Sequence, residues 1–144
     1  GGSTIFTDIR MVQAGIDKRR AETFRCSVTC ALDSTEFVTD EGAGTRTAAA
    51  IRSLGTKLNG AVVAIGNAPT ALLALLDLME HQDIRPALVV GMPVGFVQAK
   101  ESKAELMKHQ GSYITIEGTR GGSPLAAATV NALLRLAQQA PAPE

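Results

Sequence analysis

The feature that most constrains the fold is a repeated alternation of short apolar stretches with helical patterns. Each apolar stretch has the length of a β-strand and is followed by a turn and a segment of helical periodicity. Two stretches, AVVAI at 61–65 and ALVV at 87–90, are apolar throughout, which is typical of strands buried on both faces of a parallel sheet. The pattern predicts a three-layer α/β/α fold with a mainly parallel sheet of about five strands and right-handed crossovers. The predicted strands are Thr4–Thr7, Phe24–Cys30, Ala61–Ile65, Ala87–Val90 and Tyr113–Glu117.

Start and stop signals place helices between these strands. Polar residues that can accept a backbone N–H precede each helical pattern, and a proline stands in the first turn of two of them. The predicted caps are Asp8 for a helix over 9–14 with Gly15 just past its end, Thr45 for a helix reaching Leu58, Asn67 ahead of Pro69, Ser102 with Glu105 as a capping box, and Ser123 ahead of Pro124.

Chain length and composition favour one domain. The 144 residues fit a single α/β domain over 1–139, followed by a flexible tail, APAPE, at 140–144. Alanine and glycine make up about a quarter of the chain, which suits helices lying close on a sheet. No internal repeat or second domain is evident.

Charge and aromatic content exclude several classes of protein. The chain carries 14 acidic and 14 basic residues and no tryptophan, so it lacks the cationic surplus and the aromatic rings typical of nucleic-acid binding. No apolar run reaches the ~20 residues of a membrane span, and no signal segment opens the chain. We therefore expect a soluble cytoplasmic protein that binds neither nucleic acid nor membrane.

The two cysteines are expected to be buried and unreactive. Cys26 and Cys30 lie on one predicted strand. A spacing of four residues separates them by roughly 13 Å, too far for a disulfide. No further ligands cluster nearby, so no metal site is predicted.

Three glycine-containing turns follow consecutive predicted strands: GNAPT at 66–70, GMPVGF at 91–96 and GTRGGSP at 118–124. In a parallel sheet they share the carboxyl edge, where open α/β folds bind ligands and helix N-termini favour anions. The alternative is that the glycines only permit tight turns. No GxGxxG opens the first turn and no GxxxxGK[ST] occurs, so a dinucleotide or P-loop site is not predicted.

Three basic residues lie either near a helix N-terminus, where a cation opposes the helix dipole, or in one of these loops. Arg46 begins a helix, Arg120 lies in the third loop and Lys103 is expected in the first turn of its helix. Each suits binding of a carboxylate or phosphate. The alternatives are a salt bridge to Asp40 or Glu41 for Arg46, a similar ion pair for Arg120, and a solvated surface lysine at 103.

The two histidines are expected away from these loops. His81 and His109 lie in the last turns of successive helices, which return the chain to the amino edge of the sheet. A histidine there complements the helix dipole. No general base is therefore assigned to the carboxyl edge, and the catalytic residue stays unknown.

Taken in order, the segments DIRMVQAGI, GTRTAAA, GNAPTALLALL, PALVVGMPVGFVQAKESK and GTRGGSPLAAATVNALL resemble the precorrin-8X (cobalt-precorrin-8) methylmutase family nearly end to end. The most specific are GNAPTAL and PVGFVxAxESK at this spacing. The resemblance implies a parallel α/β fold, a homodimer with its active site near the subunit boundary, and no organic cofactor.

The implied function is that of an isomerase of cobalamin biosynthesis. Such enzymes move a methyl group from C-11 to C-12 of the corrinoid ring, a 1,5-sigmatropic shift that gives hydrogenobyrinate or cobyrinate. The family's expected proton donor is a histidine near its beginning, in a segment that precedes the part matched here. We therefore expect this chain to keep the substrate crevice and to lack that histidine.

A corrinoid precursor is a large apolar ring fringed by carboxylates, which suits both arginines and an apolar loop. Two alternatives are a catalytically silent corrinoid-binding core and a flavodoxin-like module for a small anion or nucleotide. The residues expected to bind substrate are Thr45, Arg46, Asn67, Pro69, Thr70, Pro93, Val94, Gly95, Phe96, Lys103, Arg120, Gly121, Gly122 and Ser123.

Overall fold

The computed structural model of the chain describes residues 3–33, 43–95 and 97–139. Its sheet has five strands in the order β2-β1-β3-β4-β5, and every neighbouring pair is parallel. The predicted α/β fold and parallel sheet are confirmed, although β2 and β5 are shorter than expected. The strands are β1 (Thr4–Thr7), β2 (Ser27–Cys30), β3 (Val62–Ile65), β4 (Leu88–Gly91) and β5 (Tyr113–Thr115).

Helices cover both faces of the sheet. A cluster of buried side chains from α3, α4 and α5 packs on one face, and a second cluster from α1, α2 and α6 packs on the other. The helices are α1 (Arg10–Gly15), α2 (Lys18–Thr23), α3 (Ala43–Leu54), α4 (Pro69–His81), α5 (Ala99–Met107) and α6 (Ser123–Gln139).

The central strand β3 explains the unbroken apolar runs. Val63 and Ile65 belong to the α3–α5 side of the core, whereas Ala64 between them belongs to the α1–α6 side. Successive side chains of a strand point to opposite faces, so a strand covered on both faces needs apolar residues at every position. Small residues are needed where α1 and α6 pack closely together. A Cβ on Gly15 would lie 2.7 Å from Ala127 Cβ, which is too short for two carbon atoms in contact.

The predicted caps at Asp8 and at Ser102 are wrong. The residue capping α1 is Ile9, which makes no side-chain cap bond, and Asp8 is directed to another part of the fold. The capping box does not form because α5 begins at Ala99, and Ser102 Oγ instead donates to the Ala99 carbonyl at 3.0 Å. A serine inside a helix often bonds back to the preceding turn in this way. Lys103 therefore lies in the second turn, not the first.

Other helix boundaries shift by smaller amounts. Helix α3 already begins at Ala43, so Thr45 is not its cap, and a 3₁₀ turn at Gly55–Leu58 completes the stretch predicted as helix. Ala68 caps α4 without a side-chain bond, so Asn67 is not the cap, whereas Pro69 opens the helix as predicted. Proline fits there because the first helical N–H has no intrahelical partner.

Both cysteines are free thiols; Cys30 is buried as predicted, and Cys26 is only half-buried. The predicted tail at 140–144 falls outside the described residues. Within the described part of the chain, no helix is long and apolar enough to cross a membrane.

Candidate functional site

The three glycine-containing loops lie together at the carboxyl edge, as predicted. They follow β3, β4 and β5, which are adjacent and parallel. Main-chain hydrogen bonds join the second and third loops: Gly122 N–H donates to the Met92 carbonyl at 2.8 Å, and Gly95 N–H donates to the Thr119 carbonyl at 3.3 Å. We call the edge formed by the described residues 66–70, 91–95 and 118–124 the carboxyl-edge crevice.

Two glycines allow these loops to touch. A Cβ on Gly121 would lie 2.5 Å from the Pro93 carbonyl oxygen, and a Cβ on Gly66 would lie 3.0 Å from Ser123 Cα. Main-chain atoms cannot move aside as a flexible side chain can. Glycine at 121 is therefore required by close approach of two backbones.

Asp8 holds the turn that leads into α4 from within the fold. Its Oδ1 accepts the N–H of Gly66 at 2.9 Å, and its Oδ2 accepts the N–H groups of Asn67 and Ala68, each at 2.9 Å. The side chain is fully buried at the end of β1. Burial raises the pKa of the Asp8 carboxyl, and the three N–H donors oppose that rise.

This arrangement corrects one expectation about the crevice. The N-terminus of α4 was expected to favour a ligand anion, but the internal carboxylate of Asp8 already accepts the N–H groups of the three residues that lead into this helix. Sequence reasoning placed Asp8 on the wrong helix because the contact spans 58 to 60 residues. The available signal was an aspartate at the carboxyl end of a buried strand.

A small cleft of about 270 Å³ lies between α3, the first turn of α4 and the residues before α5. It brings together three of the predicted residues, Asn67, Pro69 and Thr70, with Val97 and Gln98, which sequence reasoning missed. Gln98 has a left-handed backbone (φ 67°), a conformation that side chains other than glycine adopt at some energetic cost. Thr47 and Ala68 complete the lining.

The three basic residues are placed very differently. Arg46 is exposed in the first turn of α3, and Arg120 is exposed in the loop after β5. Lys103 is only 1% exposed, and its Nζ donates to the carbonyl of Arg120. The alternative of a solvated surface lysine is therefore wrong. Burial lowers the pKa of the Lys103 ammonium, and Asp40 and Glu41 lie outside the described residues.

The remaining described residues of the predicted set lie in the second and third loops and at the start of α6. Pro93 and Gly122 are buried, Gly95 and Gly121 are half-buried, and Val94 is 42% exposed. Ser123 is half-buried at the start of α6. Phe96 and the side chain of Thr45 lie outside the described residues.

Both histidines lie at the opposite, amino edge, as predicted. His81 ends α4, with its Nδ1 2.9 Å from Asp77 Oδ1, and His109 follows α5. A larger groove of about 850 Å³ opens there, lined by Arg85, Lys108 and His109 among others. It adjoins the C-termini of α4 and α5, whose carbonyl groups disfavour anions.

Comparison with known proteins identifies the family. The family model described as precorrin-8X methylmutase matches residues 1–136. The chain belongs to the precorrin-8X methylmutase family. It is 40% identical over 139 residues to a cobalt-precorrin-8 methylmutase of Priestia megaterium, covering 94% of this chain and 61% of that protein. It is 42% identical over 136 residues to a precorrin-8X methylmutase of Pseudomonas aeruginosa, covering 92% and 65%.

A solved methylmutase shares the fold. A precorrin-8X methyl mutase from Thermus thermophilus matches with a TM-score of 0.86 and 42% identity over 95% of this chain and 68% of that chain. The five-stranded parallel sheet and its flanking helices are thus those of the methylmutase family. This chain spans 61% and 65% of the length of the two curated methylmutases above.

Proposed function

We propose that this chain acts as an isomerase of cobalamin biosynthesis. The reaction would move a methyl group from C-11 to C-12 of precorrin-8X or cobalt-precorrin-8, giving hydrogenobyrinate or cobyrinate. Membership of the precorrin-8X methylmutase family supports this proposal. The observation that carries it is the convergence of the three motif-bearing loops at the carboxyl edge of adjacent parallel strands.

The substrate's carboxylate fringe requires cations and N–H donors. Arg46 and Arg120 are exposed at this edge, and neither is part of an ion pair among the described residues. Each guanidinium can bind a carboxylate through two parallel hydrogen bonds. The start of α6 adds a positive dipole end, with Gly121, Gly122 and Ser123 beside it.

The ring itself needs a wide apolar support. Val94 is exposed in the second loop, next to the buried Pro93, and Pro69 lines the cleft beside Asn67 and Thr70. At about 270 Å³ the described cleft is smaller than a usual ligand pocket of about 300–1,000 Å³. We therefore place the macrocycle across the edge of the sheet, with only part of its fringe in the cleft.

The chemistry asks mainly for positioning and one proton transfer. A rearrangement without redox or hydrolysis gains most from holding the ring in a reactive geometry, and a positioned acid supplies the proton. Neither His81 nor His109 is assigned this role, since both lie at the amino edge. Their position favours, as a second candidate, a core that binds corrinoid without turning it over.

Assembly and location are part of the same proposal. We expect a homodimer of single-domain subunits (residues 1–139) in the cytoplasm, with residues 140–144 as a flexible tail, and we expect no organic cofactor. Exposed apolar side chains such as Met11, 67% exposed, and Leu136, 62% exposed, are compatible with a subunit contact. Sedimentation at several concentrations tests the dimer.

The test is a pair of assays on the folded chain. Titration with hydrogenobyrinate or cobyrinate should shift the visible absorbance of the corrinoid, and incubation with the precorrin-8X substrate should yield product. Binding without turnover would favour the silent core. Binding of nucleotides or small anions with no corrinoid binding would favour the flavodoxin-like alternative and contradict the proposal.

A further inference from the structure

We propose that Lys103 is a positioning residue that holds the loop carrying Arg120 in the carboxyl-edge crevice without touching the ligand. The inference rests on the proposed function, because it assigns Arg120 to the carboxylate fringe of a corrinoid. It replaces the expectation that Lys103 binds substrate directly. Because Lys103 lies on the inner side of the loop, it can hold the main chain of the loop at Arg120.

Burial separates Lys103 from any ligand in solution. The residue is 1% exposed in the middle of α5, and its Nζ donates to the main-chain carbonyl of Arg120, 17 residues away. No ion pair between described residues includes Lys103. The Lys103 ammonium thus donates to a neutral main-chain carbonyl, and this hydrogen bond by itself adds little to the stability of the fold.

The same hydrogen bond sets the direction of Arg120. Its carbonyl is turned inward to Lys103, while its side chain is exposed at the crevice. Two main-chain bonds hold the flanks of this loop, from Gly95 to Thr119 and from Gly122 to Met92. In the described part of the chain, Lys103 supplies the side-chain hydrogen bond to the segment between them, at the residue that carries the cation.

An apolar residue would suit the packing of this position better than lysine. A buried ammonium loses its hydration, and a single carbonyl returns only part of that free energy. Methionine has a similar length and carries no charge. Methionine at position 103 would favour folding. The presence of lysine there therefore indicates that the Arg120 loop requires its hydrogen bond.

The experiment compares Lys103→Met with Lys108→Met, a matched change on the exposed lysine that caps the C-terminal end of the same helix. Amide hydrogen exchange over 118–122 should accelerate at least about tenfold in the first variant and stay unchanged in the second. Affinity for hydrogenobyrinate should fall about tenfold in the first variant only. Its thermal midpoint should equal or exceed that of the parent chain.

A double-mutant cycle separates an indirect role from direct contact. If Lys103 acts through Arg120, Lys103→Met should weaken corrinoid binding little once Arg120→Gln is present. A full additional loss in that background would overturn the proposal, as would unchanged exchange over 118–122. Lys103→Gln, whose amide can still donate, should restore part of the exchange protection. Failure of both variants to fold would also contradict the proposal, which treats the buried charge as unfavourable to folding.

The two proposals fail separately. If the parent chain does not bind any corrinoid, the proposed function is wrong, and exchange over 118–122 still reports whether Lys103 holds the loop. If the parent binds corrinoid but the variant keeps both its affinity and its exchange protection, only the inference about Lys103 is wrong.

Discussion

The carboxylate of Asp8 accepts the backbone N–H of Gly66 at 2.9 Å, although 58 residues separate them along the chain. The bond ties the end of β1 to the turn that follows β3, at the edge where the crevice lies. With the bonds to Asn67 and Ala68, it fixes the turn that opens α4. The crevice is thereby shaped before any ligand arrives, which favours binding through preorganisation.

Replacing Asp8 should destabilise the fold. In Asp8→Asn the amide oxygen can serve Asn67 and Ala68, but the NH₂ group faces the Gly66 N–H and leaves it without an acceptor. An unsatisfied buried donor costs about 1–3 kcal/mol. Urea unfolding should show this loss, whereas Asp83→Asn, at an exposed ion pair with Arg85, should change stability by less than about 0.5 kcal/mol. Equal effects would contradict the role given to Asp8.

Gly121→Ala should disturb the contact between the second and third loops. The added Cβ meets the Met92 and Pro93 carbonyl oxygens, which belong to the main chain. Overpacking of this kind costs about 1–3 kcal/mol. Gly111→Ala is the matched control, since a Cβ there meets nothing within 4 Å. Equal thermal unfolding midpoints for the two variants would show that the loops can move apart without loss of stability, which would contradict the prediction.

The stability effect of Lys103→Met should depend on pH. Burial lowers the pKa of Lys103 below its ordinary 10.5, so near that pH the unfolded chain holds more protons than the folded chain. Stability of the parent therefore rises as the pH increases through this range, and the variant lacks that rise. The advantage of the variant should be greatest at neutral pH and shrink towards pH 10.5. An advantage that grows with pH would contradict burial of a charged amine.

The stability lost in Asp77→Asn should be larger at neutral pH than in acid. Asp77 bonds Arg52 at 2.6 Å and His81 at 2.9 Å, and the Arg52 hydrogen bond is the main reason that its pKa lies below 3.8. A lowered carboxyl pKa stabilises the fold above 3.8 and stops doing so as the pH falls through the folded value. Denaturant unfolding at pH 7 and at pH 3 should give a smaller difference at the lower pH.

The sheet was predictable because its signals are local. Apolar runs such as 61–65 and 87–90 must be buried on both faces, so parallel pairing and the position of three loops at one edge follow from sequence periodicity. Pro69 at the start of α4 and His81 at its end followed from position-specific preferences of helix ends.

What could not be predicted depends on contacts between distant residues. Asp8 before α1 satisfies every local rule for a cap, yet its carboxylate is used 58 residues away. Ser102 and Glu105 have the spacing of a capping box, but packing starts α5 earlier, at Ala99. Lys103 carries no sign of burial in its neighbours along the chain, since only the folded sheet brings it under the Arg120 loop.

The most direct test of the central claim is an equilibrium titration of hydrogenobyrinate or cobyrinate with the parent chain and with Arg46→Ala. Arg46 is exposed at the carboxyl edge, so its loss should weaken binding about tenfold or more and leave the unfolding midpoint nearly unchanged. The account predicts a saturable shift in corrinoid absorbance that Arg46→Ala displaces to higher concentration. No shift with the folded parent chain, or equal loss of binding and stability in the variant, would contradict it.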